Sequence, residues 1–413
     1  MKYLLLLCDG MADLPVSSLG GKTPMDVAHK PNMDRLSSSS YCGMALTVPL
    51  SLPPGSDTAN MSVMGYDPEL YYTGRSPIEA ISMGIDLGED DVAFRVNLVT
   101  LSDDTSVYDR KRMIDYSSDE ISTEEASELI KAIDAKFRES GFRFYAGRSY
   151  RHCLIWENGP VKGTLTPPHD ILTKVISGYL PAEPAHKKLR DIMTSSHDIL
   201  KDHPINLERI NKGSNPANSI WIWGQGTKPE MPPISLSYGL KGSVISAVDL
   251  IFGLGICAGM TPVSVNGATG TIHTDFAGKA DAAVAEFERG QDYVYLHIEA
   301  PDECGHRNEV ENKVLSIELI DKMVLGPIYD HLENNRKKTG EDFRILIMPD
   351  HPTPLSLRTH THEPVPFILY SSCESPLAPV SVYSEKECSR TGVFFEKAHL
   401  LFDYFIREGT EKS

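Results

Sequence analysis

Three uninterrupted apolar runs carry the strongest pattern along the chain. Lys2–Leu7 (KYLLLL), Tyr293–Ile298 (YVYLHI) and Ile345–Met348 (ILIM) each predict a strand. Each is closed by an aspartate at or just past its carboxyl end: Asp9, Asp302 and Asp350. In an open α/β sheet that end is where ligands collect. Between these runs the pattern alternates strand and helix. Pro31–Leu36 starts a helix, Cys42–Val48 reads as a strand, and Ser56-Asp57-Thr58 opens a helix through Met64. GRSPIEAISMGI is a proline-started helix and DVAFRVNLVTL a strand. Later come the strand SVISA, the apolar helix VDLIFGLGICAG, and amphipathic helices over Phe276–Glu288 and from Glu309 to about Asn334. FFEKAHLLFDYFIREG predicts a last amphipathic helix.

From about residue 103 to 235 the aspartate-ended strands stop. A capping box from Ser122 to Glu125 opens a helix, FRFYAG, RHCLIWEN and SIWIWG are short strands, and AHKKLRDIMTSSHDILKDH is a further helix. The expected organisation is a discontinuous α/β core, 1–102 with 236–413, and an inserted α+β domain, 103–235, that closes over the crevice and excludes water.

Composition narrows the partners. The 413 residues exceed one usual hydrophobic core, and 41% apolar with 23% charged residues is ordinary for a globular chain. A net charge of −17 argues against nucleic acid or an anionic membrane as partner, and an anionic substrate then requires a local pocket of Arg and Lys. Seven cysteines, an odd number with no CxxC pair, favour a reducing cytosol over a disulfide framework. No signal sequence or membrane-length run is expected.

The chemistry gathers at the strand ends. His351 adjoins Asp350, His360 and His362 follow nine and eleven residues behind it, and His306 stands one helical turn after Asp302. Carboxylate and imidazole at this density suit divalent transition metals, enough for two ions serving displacement at phosphorus. Two readings fit Ser56: a helix N-cap, or a nucleophile at a positive helix end beside a metal. Arg95, inside an apolar strand, has either a structural salt bridge or a ligand. Arg75, Arg148, Arg151 and His169, with Arg95, are candidate substrate contacts or solvated surface groups, and Lys241 and Lys279 join the candidates. Cys304 reads as a buried structural thiol.

The segments LLLCDGMAD, TPMDVAHKPNMDRL, PGSDTANMSVMGYDP, GRSPIEA, TPPHDI, ISAVDLIFGLGICAGM, PDECGH, PDHPTP and RTHTHEPVPF occur in order over essentially the whole chain. This set resembles the cofactor-independent phosphoglycerate mutases, in their archaeal-type branch within the alkaline phosphatase superfamily. The resemblance implies a three-layer α/β metal-binding core and a mutase that interconverts 3- and 2-phosphoglycerate through a phosphoserine. Carried over, Ser56 is the nucleophile, Asp9, Ser56, Asp350 and His351 hold one ion, and Asp302, His306 and His360 the other, as Mn, Zn or Co. His362 has no assigned role. Two relatives in chemistry stay open: a homoserine kinase-like phosphotransferase and a metal-dependent phosphatase. The chain lacks a GxxxxGK[ST] loop, and the four arginines suit a substrate with both carboxylate and phosphate.

Overall fold

The computed structural model describes residues 1–375 and 377–407. Among them the strands are β1 (Lys2–Cys8), β2 (Tyr41–Ala45), β3 (Asp91–Leu101), β4 (Met113–Asp115), β5 (Phe142–Tyr145), β6 (Arg151–Glu157), β7 (Ser219–Thr227), β8 (Gly242–Ile245), β9 (Thr261–Val263), β10 (Tyr293–Ile298), β11 (Phe343–Met348), β12 (Val365–Ser371) and β13 (Phe394–Phe395). They form two units, Met1–Tyr72 together with the chain from Glu230, and Thr73–Pro229.

The first unit is built on an eight-stranded sheet in the order β13-β2-β12-β11-β1-β10-β8-β9. β1 lies between β10 and β11, parallel to both, with Leu7 opposite His297 and Met348. That register is why the aspartates meet: three neighbouring strands run the same way and their carboxyl ends are level. Leu4, Leu5, Leu6 and Leu7 are fully buried, as a strand covered on both faces requires. One side packs on a core drawn from Leu4, Leu6, Val294, Leu296, Ile345 and Ile347.

Several expectations need adjusting. β12 is a strand that the sequence reading left unassigned; it pairs antiparallel with both β11 and β2. The expected long helix is three segments: Val310–Leu319, a wider π-helical stretch Ile320–Leu325, and Gly326–Thr339. The wide segment holds Asp321, fully buried, whose carboxylate accepts hydrogen bonds from the backbone N–H of Asn32 and Met33. Those amides open the helix Pro31–Ser37, whose N-cap side chain makes no such bond, so Asp321 caps it from a distance. The terminal amphipathic segment is β13 followed by the helix Ala398–Arg407; the expected continuation to Gly409 lies outside the described residues.

The boundary between the units also falls earlier than the expected 102/103. The helix Arg75–Ser82 and β3 belong to the second unit, because β3 is the middle of its sheet, bonded to β6 and β7 over most of its length. β4 and β5 complete that sheet. Its core is Phe94, Val96, Leu98, Leu129, Ile133, Leu154, Trp156 and Trp221. Among the described residues no helix is long and apolar enough to cross a membrane.

Beneath the strand ends, the buried Lys313 ammonium lies 2.7 Å from Asp13 Oδ2 and donates to the Thr353 carbonyl at 2.8 Å. It ties the segment after β1 to the segment after β11. Lys313→Met leaves Asp13 as an unpaired buried charge, and a loss of about 3–5 kcal/mol is expected, read from the urea unfolding midpoint of the first unit.

Candidate metal centre

Each strand delivers its carboxylate into one confined space. Asp9 and Asp302 are 2% and 5% exposed, and Asp350 and His351 are fully buried. The turn after Asp9 needs glycine: Gly10 has φ +60°, and a Cβ there would lie 2.6 Å from both the Asp302 backbone and Thr353 Oγ1. The Gly10 amide donates to Asp350 Oδ1 at 3.1 Å. Asp302 stands in the helix Ala300–Arg307, and the expected one-turn pairing holds, with His306 Nε2 3.3 Å from Asp302 Oδ2.

Two donor groups converge, Asp9 with Asp350 and His351, and Asp302 with His351 and His360. His351 belongs to both. Its Nε2 is 3.2 Å from Asp350 Oδ2, 3.7 Å from Asp9 Oδ1 and 3.1 Å from Ser56 Oγ. His360 Nε2 is 3.4 Å from Asp302 Oδ1 and 3.0 Å from His306 Nε2.

The rings are oriented by their other nitrogens. His306 Nδ1 faces the Arg358 carbonyl at 3.0 Å and His360 Nδ1 the Pro54 carbonyl at 3.3 Å. A carbonyl only accepts, so both Nδ1 atoms carry hydrogen and both Nε2 atoms turn inward. Thr353 Oγ1 donates to Asp302 Oδ1 at 2.5 Å, which leaves it to accept from His351 Nδ1 at 3.3 Å. Three imidazoles thus aim Nε2 at one place, and Asp9 Oδ1 is buried with no hydrogen-bond partner. This is the donor arrangement that a cation satisfies, and the residues fit a divalent metal.

The electrostatics agree. Burial, reinforced by Asp350, Asp302 and Glu299, pushes Asp9 well above the usual carboxylate range. Burial would also raise Asp302, but hydrogen bonds from His306 and His360 outweigh it and hold that carboxyl well below the range. The bond to Asp302 lifts His306 to about 9, against the opposing pull of burial. Without metal, then, a proton on His306 fills part of the space between it, His360 and Asp302.

Ser56 is the first residue of the helix Ser56–Val63; Gly55 occupies the N-cap, and the Asp57 carboxylate accepts from the Thr58 amide at 2.9 Å. The capping reading of Ser56 therefore falls away, and its hydroxyl faces His351. His362 stays outside the donor groups: its Nε2 lies 2.9 Å from the Leu52 carbonyl, in the loop that precedes Ser56. Asn60, one turn after Ser56, donates to Asp350 Oδ2 at 2.8 Å, a contact the sequence reading missed.

The basic candidates divide. In the second unit, Glu79 pairs with Arg75 at 2.7 Å and Arg95 at 3.2 Å, and Arg95 stacks over Trp223 with its guanidinium carbon 4.5 Å from the ring centre. Arg151 is close enough to both Glu79 and Arg95 to affect their charges. His169 packs edge-on to the same Trp223, ring centres 5.5 Å apart. Arg148 is exposed, and its carbonyl accepts from the Arg151 amide. Two lysines depart from expectation. Lys241 is exposed just before β8, at the amino end of a strand parallel to β10, so it sits at the end of the sheet opposite the carboxylates. Lys279 is fully buried and its ammonium donates to the His297 carbonyl at 3.1 Å, beneath the site. Burial lowers it to about 8.

Comparison with known proteins places the chain. It is 48% identical over 406 residues to a probable 2,3-bisphosphoglycerate-independent phosphoglycerate mutase of Geobacter sulfurreducens, covering 98% of this chain and 100% of that one. The chain belongs to the 2,3-bisphosphoglycerate-independent phosphoglycerate mutase family. Residues 37–206 match the family profile of that description. A member of the family from Methanothrix thermoacetophila is 50% identical over 372 residues, 90% of this chain and 91% of its own. Among solved structures, a Pyrococcus horikoshii protein superposes with a TM-score of 0.79 at 29% identity, over 98% of this chain and 96% of that one. The cofactor-independent phosphoglycerate mutase of Thermoplasma acidophilum shares the fold, with a TM-score of 0.67 at 24% identity over 98% and 99% of the two chains.

Because His306 carries a proton up to about pH 9 in the metal-free site, metal uptake should release protons. Apparent Mn²⁺ affinity should climb with pH from neutrality to about 9 and then level. Calorimetric titrations in buffers of different ionisation enthalpy measure this directly. Equal heats in all buffers would contradict the assignment of His306.

Proposed function

We propose that this protein interconverts 3-phosphoglycerate and 2-phosphoglycerate through a phosphoserine at Ser56, using two divalent ions and no bisphosphoglycerate. The observation that carries the reading is Ser56 Oγ, 3.1 Å from His351 Nε2 at the first residue of a helix, in a chain of this family. Asp9, Ser56, Asp350 and His351 hold one ion; Asp302, His306 and His360 hold the other. The mixed carboxylate and imidazole set accommodates Mn, Zn or Co. Such ions, when bound, acidify the serine hydroxyl and neutralise phosphoryl charge.

The steps balance without a second substrate. Ser56 Oγ displaces the 3-oxygen of glycerate at phosphorus, and that oxygen takes a proton as Ser56 loses one. Glycerate turns, its 2-hydroxyl attacks the phosphoserine, and Ser56 regains a proton as the 2-hydroxyl loses one. The positive end of the helix Ser56–Val63, which begins at Ser56 itself, suits the developing negative charge. In the second unit, Arg75, Arg95 and Arg151 gather around Glu79, and such guanidinium groups suit the anionic groups of the substrate. None of the relatives described above is named as a kinase.

Ser56→Ala should abolish isomerisation in a coupled assay on 3-phosphoglycerate while leaving thermal unfolding and Mn²⁺-dependent stabilisation largely in place. Turnover at the parent rate would sink the serine mechanism. A parallel reaction with ATP and homoserine should show no ATP consumption. Arg75→Ala should raise KM by at least about tenfold, the scale of one charge-assisted hydrogen bond, with a smaller change in kcat. A KM within error of the parent's would remove Arg75 from the substrate contacts.

A further inference from the structure

The aspartates do not stand alone on their strand ends; side chains from β10 hold them. Tyr295 and His297 are two apart on β10 and so project from the same face, while Val294, Leu296 and Ile298 fill the core on the other. His297 is fully buried, and its Nε2 lies 2.9 Å from Asp9 Oδ2. Its Nδ1 is 3.1 Å from Ser246 Oγ, and that hydroxyl accepts from the Val248 amide at 3.0 Å. Having accepted from Val248, the serine is free to donate to Nδ1, which leaves the imidazole hydrogen on Nε2, pointing at Asp9. One oxygen of Asp9 is thereby occupied, and the other, Oδ1, is the buried atom with no partner. Tyr295 acts on the second carboxylate: its hydroxyl donates to Asn60 Oδ1 at 2.5 Å, and Asn60 Nδ2 donates to Asp350 Oδ2 at 2.8 Å.

We infer that the Ser246–His297 and Tyr295–Asn60 pairs are positioning residues, each turning a carboxylate so that its geometry toward one metal ion is fixed before the ion arrives. The inference rests on the two-metal reading of the site. It goes further in assigning residues that touch neither metal nor substrate, two of which, Tyr295 and His297, share one face of β10. Each pair presents a hydrogen to one carboxylate oxygen, which costs that oxygen rotational freedom and preserves the direction of the rest of the group. Lys279, donating to the His297 carbonyl, fixes the end of the strand from which both pairs hang.

The test is Mn²⁺ binding by calorimetry to the full-length metal-free protein, with its thermal unfolding recorded alongside. Ser246→Ala and Tyr295→Phe each delete one hydroxyl and little volume. Each should weaken one binding step by about 10–100-fold, the usual effect of removing a partner behind a ligand, with the unfolding temperature of the metal-free protein almost unmoved. Ser246→Thr, which restores the hydroxyl, should recover most of the affinity. Parent-like affinity in both deletions overturns the inference. So does a loss of affinity matched by a loss of metal-free stability that Ser246→Thr fails to recover, since that marks a packing role. Weakened binding by the variants of a parent that binds Mn²⁺ but does not isomerise phosphoglycerate would uphold the inference while refuting the proposed reaction.

Discussion

Like charges held together in a dry place set the terms for this structure. Asp9, Asp302 and Asp350 end three strands of one sheet, and burial forbids water from dispersing their repulsion. Every nearby feature answers that problem. Burial and the neighbouring carboxylates raise Asp9 above the usual carboxylate range, Asp302 draws a proton onto His306, and Asp350 takes hydrogen bonds from the amides of Gly10 and His351 and the side chain of Asn60. These are partial remedies, since the Asp9 oxygen that faces inward has no partner. A divalent cation would complete the arrangement, bringing two positive charges where a proton brings one, and the parallel register of β1, β10 and β11 gathers the carboxylates that would face it.

The second unit handles charge with the opposite sign. Arg95 leaves an apolar strand and needs some reason to be there. The salt-bridge reading open from sequence is met, since Arg95 pairs with Glu79 and lies over Trp223, with Arg75 and Arg151 nearby. Burial acts against ionisation of Glu79, but Arg95 and Arg75 overcome it and hold that group below its ordinary range. The structural salt bridge is therefore also what keeps a cationic cluster together.

Much of this was legible in the chain because the signals were local. An apolar run followed at once by aspartate announces both the strand and its functional end, and DxxxH on a helix announces its own geometry. Asp9, Asp302, His306, Asp350, His351 and His360 all came from such short-range patterns. The supports did not. Asn60 and Asp350 are 290 residues apart in sequence, His297 and Asp9 are 288 apart, and each contact depends on strand order, which periodicity does not report. The alternation of Tyr295 and His297 against Val294, Leu296 and Ile298 was visible, but it reads as an ordinary buried strand until the polar tips are seen to have partners. The positions of the lysines were hidden for a related reason: nothing local tells Lys279, buried with its ammonium on the His297 carbonyl, from a residue that faces solvent. The boundary at residue 72 was missed because β3 reads like the flanking strands, although it pairs with β6 and β7.

The two histidines after the β11 turn divide their labour in a way that joins two events. His360 aims one nitrogen into the donor group and the other at the Pro54 carbonyl, while His362 reaches the Leu52 carbonyl; both carbonyls belong to the loop that carries Ser56. The candidate ligand and the candidate nucleophile therefore share one mechanical frame. A change at the inward nitrogen of His360 would therefore reach the Ser56 loop through the ring that bonds the Pro54 carbonyl, as well as through charge. Under the proposed reaction, the rate at which a phosphonylating reagent captures Ser56 would then gauge how firmly the two histidines hold its loop.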